Sequence, residues 1–332
     1  MIRLPRACYR TIVNEFQAQT RPDILAPSSD GPADSTTAPS ENPQQSMAGD
    51  YPQQQWILSF SCADGPGIVA AVTSALAALG ANIVESKQFS NLDSGGFFMR
   101  AQFESDAQRE TLEAALANVF TKFDMTWNLD QVGRKMRTII MVSKAPHGLA
   151  DLLYRERYHD LPIDVVGIVG NHPDLQDIAE FYHKPFYLIP VTKETKPLAE
   201  AELLALIDRE NVELVILARY MQILTDELCR ALAGKIINIH HSFLPSFKGA
   251  RPYAQAYERG VKLIGATAHY VTGDLDEGPI IEQEVDRVDH SHSVADLQAL
   301  GEDVERRTLS RAVGWHAEHR VLLDGHRTVV FR

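Results

Sequence analysis

Cysteine is nearly missing: Cys8, Cys62 and Cys229 are all that 332 residues contain. Their spacing gives neither a metal site nor a disulfide framework, which points to a reducing compartment and a cytoplasmic chain. No apolar run is long enough to span a bilayer, so a membrane partner is not expected. Positive charge is short as well, with 32 Lys and Arg against 44 Asp and Glu and a net charge of -12. That balance speaks against nucleic acid as the main partner, because such affinity comes largely from neutralising phosphates, although a local basic pocket remains compatible with it. His290, His292, His316, His319 and His326 crowd the last part of the chain, but neighbouring carboxylates and cysteines at ligand spacing are absent. They read as surface groups, with no metal and no cofactor expected.

What is present describes a globular protein of about two domains, 45% hydrophobic and 23% charged. Residues 1 to 50 stand apart. Pro, Ser, Asp, Thr and Gln dominate from Arg21 to Asp50 without apolar periodicity, which predicts a disordered extension. The first twenty residues carry Arg3, Arg6 and Arg10 but lack the Ser enrichment of a transit peptide, so translation is expected to start at Met47.

From 54 to 133 the pattern reads βαββαβ. Trp56 to Cys62 is strand-like, Ile68 to Leu79 has helical apolar spacing up to a stop at Gly80, and Asn82 to Phe89 is again a strand. Gly95-Gly96 turns into the strand Phe97 to Phe103, Ala107 to Phe120 reads as a helix, and Asp124 to Leu129 as a last strand. Asp64, Gly65, Gly67 and Ile68 form a turn at a helix start, where free backbone N–H groups suit a carboxylate. With that turn the unit resembles an ACT domain, a ferredoxin-like module that binds amino-acid effectors and pairs through its sheet edge. A homo-oligomer is the corresponding expectation.

After a charged connector, Gln131 to Arg137, the second domain (137 to 332) alternates strand and helix: Thr138 to Val142, His147 to Arg157, Ile163 to Val169, Leu175 to Tyr182, Phe186 to Ile189, Leu198 to Glu210 and Leu214 to Ala218. This alternation predicts right-handed crossovers and an open, mostly parallel, doubly wound α/β sheet with ligands at the strand ends. Cys229 reads as a small core residue and His147 as an exposed residue at a helix start. Gln283 to Val288 looks like an edge strand, and Ser293 with Asp296 has capping-box spacing ahead of a long helix through Glu318.

The stretch from Lys235 to Glu284 carries the chemistry. Asn238 and His240, two apart on an extended segment, project from the same side. A break at Leu244-Pro245-Ser246 leads through a loop to a helix from Pro252 to Arg259, and an apolar run from Val261 to Val271 ends in the acidic loop from Thr272 to Pro279. Glycines at both ends let that loop bend. An amide, an imidazole and a carboxylate at adjacent strand ends suit acyl transfer, supplying an oxyanion donor, a proton carrier and a group that orients it. Capped strand ends have the same composition, so both readings stay open on spacing alone.

NIHHSFLPSFKGARPY followed by GATAHYVTGDLDEGPII resembles the formyltransferase-fold family that binds 10-formyltetrahydrofolate, and within it the deformylases, which hydrolyse it. The resemblance runs from about Arg137 to the C-terminus. It implies Asn238, His240 and Asp276 as catalytic residues, with Asp276 made more basic by partial burial. It further implies that Met221, Gln222, Ile223 and Leu224 hold the folate from one side and Val271, Thr272, Gly273 and Asp274 from the other, with Lys248, Gly249, Arg251 and Pro252 as the rim. Small-molecule folate and water are then the reactants. Glycinamide ribonucleotide formyltransferase is the alternative. It should carry a Gly- and Ser-rich phosphate loop, where this chain has Ser143-Lys144-Ala145-Pro146-His147-Gly148. Methionyl-tRNA formyltransferase should continue into a basic RNA-binding domain, and a folate or amino-acid sensor without turnover is the non-enzyme reading.

Overall fold

The structure is a computed structural model that describes residues 54–159, 161–244 and 252–332. The extension expected over residues 1 to 50, the start at Met47, and the rim residues Lys248, Gly249 and Arg251 lie outside the described residues.

Strands β1 (Gln55–Ala63), β2 (Asn82–Asn91), β3 (Gly96–Glu104) and β4 (Thr126–Gln131) form an antiparallel sheet in the order β2-β3-β1-β4. Helices α1 (Ile68–Ala78) and α2 (Arg109–Lys122) bury Val72 and Leu76, and Leu112 and Leu116, against Leu58, Phe60, Met99 and Phe103. Alternation along the strands puts these residues on one face. Gly67 enters α1 with φ 89°, a left-handed value that no Cβ contact opposes, so glycine serves the backbone angle there. Of the turn residues proposed for an effector, Ile68 sends its side chain into the core and can offer only its backbone N–H.

The second sheet has seven strands in the order β11-β10-β9-β8-β5-β6-β7. β5 (Met136–Val142), β6 (Ile163–Gly170), β7 (Phe186–Leu188), β8 (Leu214–Leu217) and β9 (Ile236–His240) run parallel, while β10 (Leu263–Tyr270) and β11 (Ile280–Arg287) are antiparallel additions. The inner parallel strands β5, β6, β8 and β9 are rich in Ile, Val and Leu, as strands covered on both faces are. α3 (His147–Tyr158) and α8 (Val294–Ala317) pack on one face, α5 (Lys196–Arg209) and α6 (Asp226–Ala231) on the other. α4 (Gln176–Phe181) continues a short 3₁₀ turn, and α7 (Pro252–Arg259) precedes β10. The capping box of α8 is formed in full: Ser293 Oγ accepts from Asp296 N–H and the Asp296 carboxylate accepts from Ser293 N–H.

The chain closes with a hairpin, β12 (Val321–Asp324) and β13 (Arg327–Val330). Leu322 and Phe331 pack on Phe98, which faces away from α1 and α2, so this hairpin seats the first sheet on the second domain. Two of the histidines expected at the surface have partners inside the fold, one of them, His319, across the junction. His319 Nε2 meets Asp130 Oδ2 of β4 at 2.7 Å, and Arg134 binds both Asp130 and Glu213, so the connector is also an ion-pair clamp. Tyr270 Oη is 2.7 Å from His316 Nδ1. A helix that passes under a sheet at its last turn hides side chains that a one-dimensional pattern leaves on the surface.

Burial first, and the charge of His319 second, push the His316 pKa down to about 4. The unfolded chain takes up that proton near pH 6.5, so stability rises with pH between the two values and is lost as pH falls through them. Between pH 6.5 and 5 this group alone is expected to remove roughly 2 kcal/mol. Denaturant melts at both pH values should show the loss, and His316→Gln should flatten it; an unchanged slope in the variant would assign the effect elsewhere. Among the described residues no helix is long and apolar enough to cross a membrane, and no group of His, Cys, Asp and Glu is placed to hold a metal ion.

Candidate active site

The carboxyl ends of the parallel strands open into a cleft of about 280 Å³. Asn238 and His240 reach it from the end of β9. Met221, Gln222, Ile223 and Leu224 line it from the turn after β8, and Val271, Thr272, Gly273, Asp274 and Asp276 from the loop after β10. Residues scattered over more than fifty positions thus share one space.

The antiparallel register of β9 and β10 sets Asn238 opposite His269. His269 is buried, and its Nδ1 lies 2.8 Å from the Tyr270 carbonyl, which can only accept, so Nδ1 carries the hydrogen. Burial, ahead of smaller opposing contributions, lowers its pKa and keeps the ring neutral. Nε2 therefore offers a lone pair to the Asn238 amide nitrogen at 3.2 Å. That contact fixes which way the Asn238 amide faces and leaves its second N–H for a ligand. The sequence reading missed His269. Its signal was its place two residues after Thr267 on a strand, but which residue it faces is a matter of register.

His240 Nδ1 is 3.2 Å from Asp276 Oδ1. A carboxylate only accepts, so Nδ1 donates and Nε2 remains for chemistry; it is buried without a hydrogen-bond partner among the described residues. Here one expectation is corrected. Asp276 is not made more basic: the hydrogen bond from His240 outweighs burial and holds its carboxyl below the usual range. The loop carrying it is also bent differently from the expectation. Its left-handed residue is Asp276 itself, at φ 58°, whereas Gly278 is needed because a Cβ would lie 1.8 Å from the Tyr270 carbonyl oxygen.

The Ser143 to Gly148 segment has a structural employment. Ser143 Oγ donates to Asn171 Oδ1 at 2.7 Å and accepts from Met221 N–H at 3.0 Å. His147, expected to be exposed, is half-buried, and its Nε2 sits 2.8 Å from Glu305. His241 stacks on His240 with ring centroids 4.9 Å apart, and burial together with the charge of Arg219 pushes its pKa down to about 4. Cys229 is buried as expected, and it also touches the cleft. Its thiol pKa is raised by burial, which keeps it unreactive.

Fold and site together define a formyl-transfer domain joined to a small ACT module: the formyl transferase family model matches residues 136–313 and the ACT domain model residues 56–121. The chain is 53% identical to a formyltetrahydrofolate deformylase of Corynebacterium sp. (strain P-1) over 84% of its own length and 99% of that protein's. It is similar to the crystal structure of a formyltetrahydrofolate deformylase from Burkholderia mallei, with a TM-score of 0.82 and 48% identity over 84% of this chain and all of that one. A glycinamide ribonucleotide transformylase from Symbiobacterium toebii gives a TM-score of 0.57 at 29% identity over 62% of this chain and 98% of that one. The chain belongs to the formyltetrahydrofolate deformylase family.

Proposed function

We propose that this chain hydrolyses 10-formyltetrahydrofolate to formate and tetrahydrofolate. The observation that carries the reading is the single cleft in which an oriented amide, an Asp-paired histidine and an apolar wall meet. Water adds to the formyl carbon, the C–N bond breaks, the folate nitrogen takes a proton and formate departs. These atoms balance with folate and water alone. Asn238 donates its free N–H to the formyl oxygen as charge gathers there, and His240, aligned by Asp276, carries the proton through Nε2. Met221, Ile223 and Leu224 on one side and Val271 to Asp274 on the other enclose the flat ring.

In the cytoplasm such a reaction would supply formate for purine synthesis and return free tetrahydrofolate to the one-carbon pool. The ACT domain is proposed to bind a small-molecule effector, an amino acid in the first instance, at the turn of Asp64, Gly65 and Gly67. Its edge strand β2, with Val84 and Phe89 exposed, is proposed to pair in a homo-oligomer. Formate release from 10-formyltetrahydrofolate in buffer alone tests the hydrolase reading. Steady formate without any acceptor is expected, and formate at background with formylated product on adding glycinamide ribonucleotide would make the protein a transferase instead.

A further inference from the structure

Arg219, at the head of the cleft-lining turn, occupies a backbone conformation that suits glycine, with φ 63°. Something must hold it there. Its Nε lies 3.6 Å from Glu305 Oε2, while Nε and Nη1 are buried without hydrogen-bond partners among the described residues, so the attraction of the two charges is what seats the guanidinium. Glu305 is 2% exposed and also receives His147 Nε2 and Tyr253 Oη, each at 2.8 Å. Gly301, one turn earlier on α8, makes room for that tyrosine, since a Cβ there would lie 2.1 Å from its hydroxyl oxygen. One carboxylate thus ties together the start of α3, the turn after β8, α7 and α8. Burial would push its pKa up, but the hydrogen bond from His147 and the charge of Arg219 bring it below the usual range, so it stays ionised.

The same turn has further anchors: Met221 N–H on Ser143, the Lys196 ammonium on the Ile223 carbonyl, and Thr225 N–H on Glu200. Between them Met221 is 62% and Ile223 60% exposed, facing the cleft. Apolar side chains held out to solvent on a pinned backbone are preorganised for a ligand.

We propose that Arg219 and Glu305 are positioning residues for the folate wall: their ion pair fixes the 219–224 turn in the shape that receives the flat ring. The inference rests on the folate reading above and assigns the pair no contact with the reacting atoms.

Tetrahydrofolate binding to the full chain, followed by fluorescence titration beside thermal melts, tests it. Arg219→Gly suits the backbone angle while removing the side chain and its guanidinium, so the dissociation constant is expected to rise about tenfold. The melting temperature should fall, because Glu305 is left buried and short of a partner. Arg219→Gly with Glu305→Gln removes both charges, and here the melting temperature should return toward the wild-type value while binding stays weak. Ser143→Ala, which releases the same turn with the ion pair intact, should weaken binding in the same direction, and Glu305→Gln alone, which leaves Arg219 without its charge partner, should weaken it too and keeps the test decisive if Arg219→Gly does not fold. KM should follow the dissociation constant, with kcat changed by less than about threefold. Recovery of binding together with stability in the double variant would reduce the pair to a structural role and overturn the proposal, as would wild-type affinity in Arg219→Gly. A wild-type protein that binds tetrahydrofolate yet releases no formate would sink the hydrolase reading and leave this inference standing. One that binds no tetrahydrofolate sinks both.

Discussion

Asp276→Ala is expected to lower the rate of formate release by about a hundred- to ten-thousandfold, the range that positioned proton transfer contributes. The expectation follows from the contact at 3.2 Å between Asp276 Oδ1 and His240 Nδ1. Without the carboxylate nothing selects the tautomer that leaves Nε2 free. The ring could then turn, and an imidazolium forming there would lose the charge that balances it. His240 is buried and Asp276 half-buried, so solvent would compensate only in part. Asp276→Asn separates the two contributions, since an amide keeps the shape and can still accept from Nδ1 but carries no charge. Because the His240 hydrogen bond holds the Asp276 carboxyl below its usual range, this group stays ionised throughout the neutral range, and an acid limb in the wild-type rate profile above pH 5 must belong to another residue. The measurement is kcat on folded variants, checked by near-ultraviolet circular dichroism. Near wild-type turnover in folded Asp276→Ala would falsify the assignment.

The pairing of Asn238 with His240 is legible in the sequence, and the reason is local. Asn238 and His240 share one strand, so a period of two already places them together, whereas Asp276 was joined to them only by the family resemblance. Segment order gave the parallel sheet for the same reason, because apolar runs covered on both faces read as strands whatever their neighbours are. What could not be read depends on contacts between distant segments. His269 acquires its role from cross-strand register with Asn238, and Glu305 gathers His147, Arg219 and Tyr253 from 52 to 158 residues away. His319 looks like a surface residue until β4 of the first sheet brings Asp130 to it, and His316 until Tyr270 of β10 meets it. The lowered pKa of Asp276 belongs to the same class. Partial burial alone predicts a rise, and only the close approach of His240 reverses the sign.

The amide of Asn238 carries the other large effect. As water adds to the formyl carbon, the carbonyl oxygen gains most of a negative charge, and a donor already aimed at it stabilises that charge without reorganising. His269 does the aiming: its neutral Nε2 holds one Asn238 N–H at 3.2 Å, which leaves the other for the oxygen. Asn238→Ala is therefore expected to reduce kcat by about a hundred- to a thousandfold, the usual loss for one oxyanion donor. KM should change little, since the uncharged formyl group of the ground state gains far less from the same N–H. Asn238→Asp should be worse than alanine, because it places a carboxylate where negative charge must develop. His269→Phe keeps the ring's volume but frees the amide to rotate, and its loss should fall between wild type and Asn238→Ala. Single-turnover rates on all four proteins order these cases. If His269→Phe matched wild type while Asn238→Ala was slow, Asn238 would be oriented by the bound folate and not by the strand register, and an amide that needs its ligand for alignment should then show a rise in KM as well.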